Sequence, residues 1–293
     1  MAVAVKELVV VSGKGGTGKT SITGALAAMV GGKVLADCDV DAANLQLIIG
    51  GHVVESGPFE AGWEVVADIH KCLQCEVCSE LCRFGAIENG VITELLLCEG
   101  CGVCADHCPA GVLSMKKRNA GEWLVLDTPQ GSMASANLGV AIENSGKLVS
   151  KVKEIARKIA TEQELPLVLV DGPPGIGCPA IAAITGASLV LAVVEPTMSA
   201  MHDLIRLQEV TAHFRLPLCV CINKSDLHEG MRRQIKTWCE ENIVTVVGEI
   251  PYAEEFRQAL REGRTVMDGG DILVKNSLAA LWLKLAALLP IGK

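Results

Sequence analysis

Aromatic residues are scarce in this chain of 293 residues: four tryptophans, four phenylalanines and one tyrosine, 3% of the whole. A core without large rings must be packed by alanine, valine, leucine and glycine in a sequence that is 50% hydrophobic, which suits close helix-to-sheet contact in an α/β fold. Positive charge is also in deficit. Twenty-six Lys and Arg stand against 34 Asp and Glu, a formal charge of −8. There is no basic patch and no basic amphipathic tail, so nucleic acid is not an expected partner. No apolar run approaches the length of a membrane span. Residues 3–11 contain Lys6 and Glu7 and run straight into a glycine-rich loop, so they read as a strand and not as a secretory signal. A cytoplasmic location is expected. Cysteine, by contrast, is abundant: thirteen without a secretion signal point away from disulfides and toward metal ligation in a reducing compartment.

The glycine-rich loop is Gly13-Lys14-Gly15-Gly16-Thr17-Gly18-Lys19-Thr20, between the apolar run Leu8–Val11 and a helix expected from Ser21 to Val30. Strand, loop and helix in that order define a P-loop, whose backbone N–H groups cradle a polyphosphate at a helix N-terminus. Gly13, Gly15, Gly16, Thr17, Gly18 and Ser21 are then nucleotide-binding positions. Lys19 reaches the β and γ phosphates, and the Thr20 hydroxyl ligates Mg²⁺. A second strand around Val34–Ala36 delivers Asp37, Asp39 and Asp41 to the same sheet edge, where a carboxylate can orient attacking water. For Asp37 and Asp41 an N-cap or hydrogen-bonding role stands equally open. Leu167–Val170 ends in Asp171 and Gly172-Pro173-Pro174-Gly175, a Walker B pattern. Cys219–Ile222 precedes Asn223-Lys224-Ser225-Asp226, where P-loop proteins read the base. Asn223 can bond either purine, whereas Asp226 in an N-K-x-D string is the GTPase signal.

Between Cys72 and Cys108 the sequence repeats itself. Cys72, Cys75, Cys78 and Cys82 have the spacing x2, x2, x3, and Cys98, Cys101, Cys104 and Cys108 have it again, followed by Pro109. This is the pattern of a bacterial-type ferredoxin with two [4Fe-4S] clusters, in which the fourth cysteine of each run serves the other cluster. Cys72, Cys75, Cys78 and Cys108 are thus assigned to one cluster, and Cys98, Cys101, Cys104 and Cys82 to the other. Tetrahedral zinc on paired C-x2-C units is the structural alternative. From Pro58 to Lys116 nine acidic residues face three basic ones, a net −6, so a redox or iron-sulfur client with a basic docking face is expected.

The loop with its early lysine, Lys14, together with the Asp171-Gly-Pro-Pro-Gly string, resembles the deviant Walker A ATPases of the MinD/ParA/Mrp superfamily and the nitrogenase iron protein. The whole chain resembles a MinD-superfamily ATPase with an inserted 2[4Fe-4S] ferredoxin domain. That resemblance implies a doubly wound, mostly parallel α/β domain over 1–57 and 117–293, interrupted by an α+β ferredoxin-like insert over 58–116. It implies a nucleotide-dependent homodimer in which Lys14 crosses to the facing nucleotide, Lys19 holds phosphate, and Asp39 positions the attacking water. Asp171 holds a water on Mg²⁺, and the element ending at Pro251 and Tyr252 closes over the base. It implies ATP rather than GTP, and hydrolysis coupled to electron transfer through the clusters. A cluster-carrier ATPase of the Mrp type, or a MinD/ParA-like positioning ATPase with the ferredoxin as docking module, are the alternatives. Glu143–Val149 resembles a segment of MinD-like proteins with such an insert. Cys178 lies at the offset of a cluster ligand in the nitrogenase iron protein, although a small core thiol is the plainer reading. The final apolar stretch, Ile272–Leu289, lacks the basic face of a membrane-surface helix and is expected to be buried.

Overall fold

In the computed structural model, which describes residues 4–139, 145–269 and 271–289, Lys6–Ser12 forms β1 and the glycine loop leads into α1 (Lys19–Met29). β2 (Lys33–Asp37), the short α2 (Leu45–Ile49) and β3 (His52–Ala67) follow. The cysteine-rich stretch holds α3 (Val77–Leu81), β4 (Ile87–Glu88), β5 (Val91–Ile92) and α4 (Val103–Asp106). β6 (Leu113–Thr128), β7 (Gly131–Leu138) and α5 (Ser145–Glu162) come next. Strand and helix then alternate: β8 (Leu167–Pro174), α6 (Cys178–Ile184), β9 (Leu189–Val194), α7 (Met198–His213) and β10 (Leu218–Asn223). The last elements are α8 (Glu229–Glu241), β11 (Thr245–Ile250), α9 (Glu255–Arg261) and α10 (Ile272–Leu288).

Nine strands make one sheet in the order β11-β10-β9-β1-β8-β2-β7-β6-β3. Every pairing from β11 across to β7 is parallel. Strands covered by helices on both faces read as unbroken apolar runs, and Leu8–Val11, Val34–Ala36, Leu167–Val170 and Leu189–Val194 are all buried. The expected mostly parallel α/β sheet is therefore present. The apolar run Trp123–Leu126 belongs to the 16-residue β6.

Two compact units divide the described chain. The first comprises residues up to Gly57, Trp123–Asn137 and Ser145 onward; the second comprises Pro58–Glu122 with Leu138 and Gly139. The first unit holds a large core in which Leu26, Leu35, Leu126, Leu169, Leu191 and Leu281 are wholly or almost wholly buried. α5 buries Leu148, Val149, Val152 and Ala156 as its spacing predicts, but it also buries Lys153. The Lys153 ammonium lies 3.1 Å from the equally buried Glu7 carboxylate, and Arg157 bonds the same acid. α10 corrects the expectation of a buried final helix. Val274, Leu278, Leu281 and Leu285 are buried, while Ile272, Leu273, Leu283 and Leu288 on other sides of the helix are exposed. The sequence is apolar all round, yet a helix lying on one sheet face buries only one side.

The second unit has a small buried core of Val65, Cys78, Ile87, Val112 and Leu113, against which Cys72, Cys82, Cys98, Cys104 and Cys108 pack. All thirteen cysteines are free thiols. Glu143 and Asn144 of the 143–149 segment lie outside the described residues.

Candidate functional site

Parallel strands deliver their carboxyl ends to one edge of a sheet, where α/β proteins place ligands. At that edge of the first unit, Val10 and Asp37 each pair in register with Asp171. Gly16 and Gly18 carry the positive φ values, 78° and 91°, that turn the loop. Gly18 is the residue before α1, which has no side-chain cap, so its first N–H groups remain available to an anion. A Cβ on Gly18 would stand 2.3 Å from Nδ2 of Asn223, and one on Gly13 would stand 2.1 Å from Cβ of Asp203. Neighbouring side chains already fill that space.

Lys19 is buried among acids. Its Nζ lies 3.0 Å from Asp171 Oδ2, 3.6 Å from Asp39 Oδ2 and 3.3 Å from Thr20 Oγ1. Burial alone would lower the lysine pKa, but Asp171 and Asp39 outweigh it and the shift is upward. Thr20 Oγ1 donates to Asp171 Oδ2 at 2.7 Å, and Thr23 Oγ1 donates to Oδ1 at 2.8 Å. Thr20 and Asp171, the expected Mg²⁺ pair, are thus adjacent.

The three acids after β2 separate by environment. Asp37 is fully buried and accepts the N–H groups of Leu45, at 3.0 Å, and of Asp39, at 3.3 Å. Burial, then Asp171, raise its pKa to about 8 against the pull of Lys19. Asp37 therefore anchors the start of α2. Asp39 keeps 13% of its side chain exposed where Asp171 keeps 0%, which leaves Asp39 as the acid beside Lys19 that solvent can reach. Burial also raises the Asp39 pKa, Lys19 opposing. Asp41 is exposed.

Lys14 makes contacts that the sequence did not announce. Its Nζ is 2.5 Å from Glu195 Oε1, 3.2 Å from Ser199 Oγ and 3.5 Å from Thr197 Oγ1. The other Glu195 oxygen holds Lys224 at 3.0 Å, and Lys224 also donates to the Gly16 carbonyl at 2.9 Å. Burial would raise the Glu195 pKa, but the two lysines hold it below the usual carboxylate range. Glu195 was legible in principle as the first residue beyond β9, at the same sheet edge.

On the base side, Asn223 Nδ2 donates to the Thr17 carbonyl at 2.7 Å. Asn223 Oδ1 and Thr17 Oγ1 are buried without hydrogen-bond partners among the described residues. Asp226 Oδ1 accepts the Tyr252 N–H at 2.6 Å, and the Ser225 N–H donates to the Ile250 carbonyl, so the loop through Pro251 is tied to the Asn223–Asp226 turn. Ser21 joins Ile48, Phe256, Arg264 and Thr265 around a small cavity.

In the second unit, Cys72, Cys75, Cys78 and Cys108 line one cavity, and Cys82, Cys98, Cys101 and Cys104 line another. Each holds about 320 Å³ of open space, mouth included. Backbone N–H groups of Gln74, Gly90 and Ala86 donate to Cys72, Cys78 and Cys82 Sγ at 3.4, 3.3 and 3.4 Å. Amide groups following Cys82 outweigh the effect of its burial and lower its pKa, and the amides of Val112 and Ala110 lower that of Cys108. Both favour thiolate. Among the described residues, no three His, Cys, Asp or Glu converge closely enough to hold a single metal ion. Cys178 is exposed at the start of α6, and Cys38 is buried under α5 with its Sγ 4.0 Å from the Val149 carbonyl.

A glycine loop at a helix N-terminus, with Lys19 between Asp171 of β8 and Asp39 just beyond β2, defines a P-loop nucleotide-binding protein. Residues 8–266 match the CobQ/CobB/MinD/ParA nucleotide binding domain, and the chain belongs to that family. It is 33% identical over 228 residues to the uncharacterised protein MJ0578 of Methanocaldococcus jannaschii, covering 76% of this chain and 80% of the relative. An uncharacterised ATP-binding protein of the same organism, MJ0547, is 27% identical over 269 residues, 90% of this chain and 79% of its own. Among solved structures, the septum site-determining protein MinD of Pyrococcus horikoshii OT3, complexed with Mg-ADP, has the same fold. Its TM-score is 0.59 at 17% identity, over 97% of each chain.

Proposed function

We propose that this protein is an ATPase whose nucleotide-dependent homodimer carries two [4Fe-4S] clusters per chain and couples ATP hydrolysis to electron transfer through them. The observation that carries the cluster half is the sorting of eight cysteines onto two cavities. The fourth cysteine of each run, Cys82 or Cys108, stands with the first three of the other run, the exchange that a two-cluster ferredoxin uses. Each set is spread around a cavity wall, which suits four separate iron corners, whereas tetrahedral zinc draws its ligands to one point. The N–H donors on Cys72, Cys78 and Cys82 are of the kind that tune cluster potential. A unit of roughly 65 residues also buries little apolar surface alone, so metal ligation would supply stability its five-residue core lacks.

The nucleotide half rests on family membership and on the state of two acceptors, buried Asn223 Oδ1 and exposed Asp226. Asn223 Oδ1 lacks a donor and fits the adenine amino group; Asp226 has one oxygen committed to Tyr252, which disfavours the paired contact guanine requires. Thr20 and Asp171 would hold Mg²⁺, which neutralises charge on the β and γ phosphates, while Lys19 moves from its acids to phosphate. Asp39 would orient the attacking water. The family and the relatives bear on the ATPase alone. The MinD-like fold also supports a second reading, a positioning ATPase that uses the acidic second unit to dock a basic partner.

Anaerobically purified and reconstituted protein is expected to hold about eight irons per chain, with cluster signals on reduction. Stoichiometric zinc without iron would overturn the cluster half and leave the positioning reading.

A further inference from the structure

We propose that Glu195 is a positioning residue for Lys14: it holds the lysine against its own subunit and releases it when two nucleotide-bound copies associate. The proposal rests on the reading of Lys14 as the lysine that acts across the dimer, and it adds the group that controls when Lys14 is free to do so.

Among the described residues three oxygens surround Lys14 Nζ, and only that of Glu195 is charged. The Glu195 side chain is 14% exposed and that of Lys14 is 36% exposed, so the pair is partly shielded while the lysine keeps a path to solvent. An ammonium held 2.5 Å from this carboxylate must leave it before reaching phosphate on another copy. Release leaves no bare carboxylate, because Lys224 stays 3.0 Å from Glu195 Oε2. Lys224 in turn bonds the Gly16 carbonyl, so the same carboxylate is linked to the loop that receives the nucleotide. The latch is therefore weak enough to open and is placed where phosphate can compete for its cation.

A partly shielded pair of this kind opposes release by about fivefold. Both lysines must be freed in a two-fold dimer, so the combined effect on the dimer dissociation constant is about 25-fold. Glu195→Gln keeps the shape and removes the charge. With Mg²⁺ and a non-hydrolysable ATP analogue, sedimentation should show the Glu195→Gln dimer dissociation constant lowered about 25-fold. Analogue affinity measured on dilute monomer should stay unchanged. Glu195→Asp should return dimerisation toward wild type, and the gain should vanish in the Lys14→Ala, Glu195→Gln double variant. Dimerisation of Glu195→Gln equal to or weaker than wild type, with Lys14→Ala unable to dimerise, overturns the role of Glu195 alone. A parallel change in monomer affinity also overturns it, by placing the effect on the loop through Lys224. If Lys14→Ala itself dimerises normally, the trans-acting lysine is what fails.

Discussion

Asn223 and Asp226 sit three residues apart and have opposite availability. Asn223 Oδ1 is buried without a donor, and Asp226 Oδ1 already accepts the Tyr252 N–H. Competition binding should therefore favour ATP over GTP, and Asn223→Ala should weaken ATP by roughly tenfold through the lost hydrogen bond. Asp226→Ala should cost about 1 kcal/mol of stability at the loop it ties while leaving the ATP-to-GTP ratio unchanged; a GTP preference lost in that variant would reverse the assignment. Asp37 gives a pH dependence. Its folded pKa of about 8 lies above the ordinary 3.8, so the folded state binds the proton more tightly than the unfolded chain does. Stability from that proton is full below about pH 4 and is lost as pH rises toward 8. Nucleotide-free protein in chelator should melt at a higher temperature at pH 6 than at pH 8.5, and Asp37→Asn should flatten that slope. An equal slope in the variant would remove Asp37 as its source.

The segment after β2 shows how one short stretch divides its labour. Asp37 points back to the N–H of Leu45, and Asp39 keeps the exposed edge beside Lys19. Asp39→Ala should bind nucleotide and accumulate as dimer with hydrolysis slowed by about 100-fold or more, whereas Lys14→Ala should fold yet neither hydrolyse nor dimerise. Wild-type turnover in Asp39→Ala would take that residue out of the mechanism. Elements of this kind were legible because their signal is local: apolar runs on buried parallel strands, a glycine loop, and an acid at a strand end. The roles of Lys224 and Lys153 were not legible, because each depends on a partner distant in sequence; for Glu195 the position beyond β9 was legible, but its hold on Lys14 and Lys224 was not. No pattern within α5 marks Lys153 as buried; its partner is Glu7, on β1. α10 misled for the reverse reason: residues such as Leu283 are apolar without being covered, and no pattern in the helix itself says which face meets β11. The cysteine pattern carries its own pairing. Cys108→Ala should remove the signal of the cluster shared with Cys72, Cys75 and Cys78, and Cys82→Ala that of the other, each measured by spectroscopy on reduced protein.

At the scale of the whole chain, the question is whether the ATPase and the cysteine-rich unit act together or are merely joined. The sequence continues without a linker from the nucleotide edge to the cysteine-rich unit: Asp37 holds the start of α2, α2 ends at Ile49, and β3 begins at His52. β3 and β6 each run for 16 residues, and the division between the units falls within them, after Gly57 and before Trp123. If the two units are coupled as proposed, a change in the Asp37–Leu45 segment on binding the γ-phosphate passes along these strands and alters hydrogen bonds and solvent around the thiolates. Cluster potential depends on both. Nucleotide state should then shift the cluster potentials, and reciprocity requires that reduction change nucleotide affinity by the same free energy, on the order of 1 kcal/mol for a typical coupling, or about fivefold in affinity. The measurement is a pair of titrations: cluster potentials in the nucleotide-free, ADP and non-hydrolysable ATP forms, and nucleotide affinity of oxidised and reduced protein. Coincident potentials and unchanged affinities would mean that the second unit is only tethered. Its net acidity would then serve to dock a basic partner, and the positioning ATPase becomes the better account of a MinD-like fold whose second unit carries eight cysteines.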